Sequence, residues 1–237
     1  PLFIIIASIF IVESINAQGF TPPKMIFGIS LDGNFATNDA HGTNFKNDPN
    51  VYGMIWGRGI SLNSKFGLGI RKNHRITLGA TYNKMVNIED AMIPFFVFAP
   101  SDPNKPFTSF NIWTGALGYE YAFNPRCKSK QYLGFAFTGN YIVTTTGSYY
   151  DSFENSFRVG MQITTGYEFV LDKNFKTGLS IGLKYNLTNI LGTTNGPNTF
   201  NDGAGTGGPT YWRRIGILSI NLGFNFYTGV KPYRGVK

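Results

Sequence analysis

Charge is scarce in this sequence. Asp, Glu, Lys and Arg make up 14% of its 237 residues, against roughly 25% in soluble globular domains. A soluble domain of this size needs more charge on its outside, so the shortage points to an exterior largely out of water. Cysteine is nearly absent: Cys127 stands alone, which excludes an internal disulfide and a cysteine-pair metal site. Histidine is almost as rare, with His41 and His74 far apart and no His-x-x-His spacing. Long apolar runs are missing too. After the first twelve residues the longest is 91–99, AMIPFFVFA, interrupted by Pro94, whereas a membrane-spanning helix takes about 20 residues. If the chain crosses a membrane, closed β-structure is the remaining way to satisfy its backbone hydrogen bonds.

What the sequence has instead is glycine, 29 residues, and aromatic side chains, 16% of the total, set in strict alternation. In the stretch 166–187, GYEFVLDKNFKTGLSIGLKYNL, the positions Phe175, Leu179, Ile181, Leu183, Tyr185 and Leu187 are apolar or bulky. Those between them, from Lys176 to Asn186, are small, polar or charged. Such alternation predicts strands with one oily face. It recurs eight times, over about 24–36, 58–71, 75–86, 107–123, 131–146, 156–170, 175–187 and 212–227. Most of these segments are longer than the roughly 5–6 residues usual for a soluble strand.

The connections alternate as well. Short ones fall near 72–74, 124–130 and 171–174, and extended ones span about 37–57, 87–106 and 188–211, with 147–155 of intermediate length. Tight turns at one end and long loops at the other are expected of a transmembrane barrel. A lipocalin- or avidin-like soluble barrel also has eight alternating strands, but need not segregate loop length by end. Trp113, Tyr82, Tyr121, Tyr167 and Tyr185 cluster toward strand ends on the oily face, as rings that settle at headgroup level do. The expected fold is therefore all-β: an eight-stranded antiparallel up-and-down transmembrane β-barrel behind an N-terminal signal peptide.

Residues 2–12, LFIIIASIFIV, have the size of a signal-peptide h-region, and Ile15-Asn16-Ala17 before Gln18 suits cleavage. Residues 1–17 are expected to be a signal peptide without its basic n-region, 18–228 the barrel, and 229–237 a basic periplasmic tail. A buried helix or membrane anchor is the alternative for 2–12. The net charge of +8 is scattered, without the dense basic patch and interleaved aromatics of a nucleic-acid surface. Membrane lipid and lipopolysaccharide are the expected partners; nucleic acid is not.

A leader of this kind, eight strands, alternating loop lengths and the closing segment SINLGFNFY (219–227) resemble the small outer-membrane β-barrels of the OmpA- and OmpX-like superfamily. The Asn16-Ala17-Gln18 region and the Tyr- and Asn-rich strands are similar to porin-family barrels of the Bacteroidetes. The resemblance covers essentially the whole chain after the leader and rests on features generic to the class. It implies a monomer in the bacterial outer membrane and a last strand read by the insertion machinery, whose polar, glycine and aromatic spacing Asn221, Gly223, Phe224 and Phe226 match. The tail 229–237 departs from it, because such barrels usually end on an aromatic residue; it implies a periplasmic contact.

Eight strands enclose a space that side chains can fill, so a wide diffusion pore is not expected. The polar face places Asp32, Lys65, Glu120, Arg158, Glu168, Lys176 and Lys184 inside, where unpaired charge is costly. Aligning Phe169 with Phe175 across the turn sets Glu168 opposite Lys176, and Asp32 and Lys65 form a second expected pair. These charges either plug the barrel or line a narrow polar path for ions or small solutes.

Catalysis is not expected. Acyl transfer of the kind some outer-membrane barrels perform on lipid A needs a nucleophile beside a base. His41 lies in the first long connection and His74 in a turn at the opposite end. No metal or cofactor is expected either: the glycines at 57–59 and 67–69 lack the pattern of a dinucleotide loop. One segment stands out. Met92, Ile93, Pro94, Phe95, Phe96 and Phe98 form an uncharged apolar run in a long loop. Such a run marks either a contact with a surface or envelope protein or a cap packed over the barrel mouth.

Overall fold

The computed structural model describes residues 21–38, 54–86, 108–146, 156–172, 175–191 and 214–230. Each alternating segment becomes a strand, because successive side chains on a strand point to opposite faces. The strands are β1 (Met25–Asn38), β2 (Trp56–Leu68), β3 (His74–Val86), β4 (Thr108–Ala122), β5 (Ser129–Thr146), β6 (Ser156–Val170), β7 (Thr177–Leu187) and β8 (Ile215–Thr228). Each pairs antiparallel with its sequence neighbours, and β8 returns to β1 to close the barrel. The seam is long, running from Met25↔Thr228 to Asn38↔Ile215, so no edge strand is left to pair with another chain.

Short connections gather at one end, at 69–73, 123–128 and 171–176, which we call the turn end. Connections 39–55, 87–107, 147–155 and 188–214 leave the opposite, loop end. Two turns differ from the sequence expectation, both for backbone reasons. β2 stops at Leu68 because Gly69 and Lys72 take positive φ, 65° and 55°; His74 then opens β3 and is no longer a turn residue. Phe175 is also left-handed, at φ 54°, which costs a bulky residue its usual strand geometry. β7 therefore starts at Thr177. The Asp172 carboxylate holds this turn by accepting the backbone N–H groups of Lys176 (2.7 Å) and Thr177 (3.3 Å), while Leu171 N–H donates to the Thr177 carbonyl at 3.0 Å.

The longer turn shifts the hairpin register. Glu168 stands opposite Ser180 and Phe169 opposite Leu179, so the expected pairing of Glu168 with Lys176 does not occur. Lys176 lies in the turn and is exposed, not inside the barrel.

The wall is inside-out relative to a soluble protein. Its large outward side chains are bare, among them Leu117 at 59% exposure, Phe137 at 62% and Leu222 at 60%. Fully buried positions include Arg75, Glu168 and Asn140. Water would not tolerate this arrangement, because the hydrophobic effect drives the opposite sorting. Among the described residues no helix is long and apolar enough to cross a membrane; here it is strands that offer an apolar outer face.

Candidate functional site

The functional candidates converge on the barrel interior, which is built in layers. Nearest the turn end, inward positions of four strands meet: Lys65 of β2, Arg75 of β3, Glu120 of β4 and Glu168 of β6. Lys65 Nζ lies 2.8 Å from Glu120 Oε2 and 2.6 Å from Glu168 Oε1. Arg75 Nη1 lies 2.8 Å from Glu120 Oε1 and 3.1 Å from Glu168 Oε1. Two cations thus share two carboxylates, and each charge is neutralised twice. Neutralisation at this depth is required, since an unpaired buried ion costs several kcal/mol. Aromatic rings complete the layer. Lys65 Nζ sits 4.0 Å from the Tyr132 ring centroid, and Lys130 Nζ 4.6 Å from that of Tyr227, close enough for cation–π attraction.

The next layer joins β7 to β1. Lys184 Nζ contacts Asp32 Oδ2 at 2.6 Å and donates to Ser61 Oγ at 2.9 Å. Ser61 in turn donates to Asp32, and its hydroxyl lies 2.9 Å from that of Thr81. Asp32 therefore pairs with Lys184 and not with Lys65, its expected partner. Above this layer the charges give way to amides and hydroxyls. Asn34 donates to Asn83 at 2.8 Å, Thr114 to Asn140 at 2.8 Å and Asn186 to Asn140 at 3.2 Å. Arg158 is buried beside them on β6, and its Nη1 donates to the Phe157 carbonyl at 2.9 Å.

At the loop end the interior becomes apolar. Ala36, Met54, Met85, Phe110, Ile112, Ile142, Ile215 and Ile217 form one buried cluster inside the barrel. Between the two charged layers lies a cavity of about 100 Å³, lined by Ser30, Lys65, Thr81, Glu120, Lys184 and Asn225 among others. Its polar lining and size suit a small group of waters. Among the described residues, ion pairs lie on its turn-end side and the apolar cluster on its loop-end side.

The structure thus brings together Asp32, Lys65, Glu120, Glu168 and Lys184, buries Arg158 nearer the loop end, and leaves Lys176 outside. Arg75, Lys130 and the plug are additions. The parity of β3, with Ile76 and Leu78 outward, already pointed Arg75 inward. Lys130 sat just before the strand expected at 131–146. The plug was signalled by segments apolar on both faces, such as Tyr141-Ile142-Val143. Asn221 and Gly223 of β8 face inward, with Phe226 bare on the outer wall and Phe224 half-buried there. Residues 92–98, His41 and the tail beyond 230 lie outside the described residues. His74 is exposed at the turn end, bonded to the Tyr119 hydroxyl and edge-on to Tyr121 at 5.4 Å. Cys127 is buried in the β4–β5 turn. Among the described residues no group of three or more His, Cys, Asp or Glu is placed to hold a metal.

Comparison of this architecture with solved structures gives a match to Neisserial surface protein A, with a TM-score of 0.53 at 13% identity, covering 89% of this chain and 99% of that one. The fold is that of a small outer-membrane barrel. OprG from Pseudomonas aeruginosa matches with a TM-score of 0.47 at 11% identity, over 89% of this chain and 99% of its own. Ail, the attachment invasion locus protein of Yersinia pestis, matches with 0.46 at 9% identity, over 86% and 99%. No family model matches the sequence, and neither does any curated protein.

Proposed function

We propose that the chain is a monomeric barrel of the bacterial outer membrane, OmpA/OmpX-like and similar to the porin-family barrels of the Bacteroidetes, which acts through its external loops. In this reading residues 1–17 direct export and the turn end faces the periplasm. The insertion machinery reads Asn221, Gly223, Phe224 and Phe226, and the loops contact lipopolysaccharide or a surface or envelope protein. One observation carries the reading: among the described residues the interior is filled, by the Lys65–Arg75–Glu120–Glu168 network toward the turn end and by the apolar plug toward the loop end. A barrel so filled has little to offer a solute, which leaves the loops as the working surface. The run 92–98 is the loop segment whose composition suits a contact.

A narrow pore is the rival, and the polar cavity between the charged layers is what favours it. Single-channel recording in planar bilayers separates the two. The filled barrel predicts silence at all holding potentials, and discrete conductance steps from the correctly folded protein would sink the proposal. Deletion of 92–99 tests the loop. Lost partner capture with unchanged heat stability supports a contact; lost stability with intact capture assigns the segment to the barrel cap.

A further inference from the structure

Among the described residues, every exposed Lys or Arg lies at the turn end. Lys24 precedes β1, Arg71 and Lys72 lie in the β2–β3 turn, Arg126 and Lys128 in the β4–β5 turn, and Lys176 in the β6–β7 turn. Every connection at the turn end thus carries a cation, and all but Lys72 are exposed. Among the described residues no ion pair engages Lys24, Arg71, Arg126, Lys128 or Lys176; the salt bridges there all lie inside the barrel. The described turn end holds one carboxylate, Asp172, whose Oδ1 is already committed to two backbone N–H groups. The remaining carboxylates are Glu13, the interior Asp32, Glu120 and Glu168, and those from Asp39 to Asp202 that fall, in sequence, in the four long connections.

Beneath this rim the outer wall carries aromatic side chains. Tyr119 and Phe123 on and just after β4, Phe169 on β6 and Phe226 on β8 are all exposed, with Tyr121–Phe123 and Phe224–Phe226 in edge contact at 5.2 and 5.0 Å. Such rings mark headgroup depth, and the cations stand just beyond them, where lipid phosphates lie. We propose that the turn-end rim is a binding surface for the phosphates of anionic phospholipids in the leaflet on that side. Zwitterionic lipids are disfavoured, because the rim offers almost no carboxylate to receive their ammonium group. This inference rests on the membrane-spanning reading and adds to it a side and a lipid class. Each Lys or Arg near an anionic surface contributes about fivefold in binding, so five of them are expected to enrich anionic lipid at least tenfold.

The test uses the full chain reconstituted into vesicles of phosphatidylcholine alone or mixed with phosphatidylglycerol. Lipid retained on the barrel after detergent release is read by native mass spectrometry. Wild type is expected to retain phosphatidylglycerol over phosphatidylcholine at a ratio about tenfold or more above the bulk ratio, falling in about 1 M salt, where the Debye length is only about 3 Å. The variant Lys24→Gln, Arg71→Gln, Arg126→Gln, Lys128→Gln, Lys176→Gln is expected to return to the bulk ratio. Should it fail to give the heat-modifiable folded band, the pair Arg71→Gln, Arg126→Gln is expected to lose several-fold. Lys46→Gln with Lys105→Gln, in the long connections, is expected to leave the preference intact. Insertion without a preference, or a preference that survives neutralisation, overturns the inference alone. Failure to insert into either vesicle overturns the membrane reading with it.

Discussion

Replacing Glu168 with Gln removes one negative charge from a fully buried position while keeping the shape of the side chain. In the native network Glu168 accepts from Lys65 at 2.6 Å and from Arg75 at 3.1 and 3.2 Å. The variant leaves those two cations with Glu120 alone, so one positive charge is stranded out of water. Removing one partner of a buried ion pair costs about 3–5 kcal/mol. The lower end applies here, because the amide oxygen of Gln still accepts hydrogen bonds. Urea titration of the vesicle-inserted barrel, followed by tryptophan fluorescence and by the heat-modifiable band, is expected to show a loss of about 3 kcal/mol. Combining Glu168→Gln with Lys65→Met restores charge balance and is expected to recover part of that loss, with a coupling of about 1–3 kcal/mol. Lys176→Gln, at the partner suggested by sequence alone, is expected to stay within about 0.5 kcal/mol of wild type. A Glu168→Gln barrel as stable as wild type, or strict additivity in the double variant, would refute the reasoning.

The outer wall gives an independent prediction. Leu117 lies between the Trp113 and Tyr121 levels of β4 and is bare, so Leu117→Arg is expected to cost about 2–4 kcal/mol in vesicles if it faces the bilayer midplane. A near-neutral result in the same urea titration would place that face in water. Two glycines of the same strand separate packing from propensity. A Cβ at Gly118 would lie 2.4 Å from the Phe135 carbonyl oxygen and 2.5 Å from the Ala136 Cβ, whereas at Gly115 it meets nothing within 4 Å. Gly118→Ala is expected to destabilise by about 1–3 kcal/mol through overpacking, and Gly115→Ala to change stability by less than about 0.5 kcal/mol; equal effects at the two sites would contradict the close approach of β4 and β5.

The wall was legible in the sequence and the interior only in part, for physical reasons. Alternation is a local signal, so Phe27-Gly28-Ile29 or Leu179-Ser180-Ile181 announce both a strand and its outward face. Pairing across the interior is not local. Lys65 and Glu168 are 103 residues apart, and Lys184 and Asp32 are 152 apart; their meeting depends on register and closure together. The hairpin at 166–187 shows how register fails to be read. Its turn is set by a left-handed Phe175 and by the Asp172 side chain, and only the aspartate is a turn signal. The plug was obscured for the opposite reason. Where both faces of a strand are apolar, as at Tyr141 to Val143, periodicity no longer says which residue points inward.

The Asp32–Lys184 contact has a consequence for assembly. These residues sit on β1 and β7, with β8 between them, so they meet only once the last strand has zipped onto the first. An open sheet entering hydrocarbon would drag both charges in bare. A finished cylinder carries them as a neutral pair. Closure is thereby expected to come before or together with insertion, since only the completed ring of strands brings Lys184 to Asp32 and spares hydrocarbon two unpaired charges.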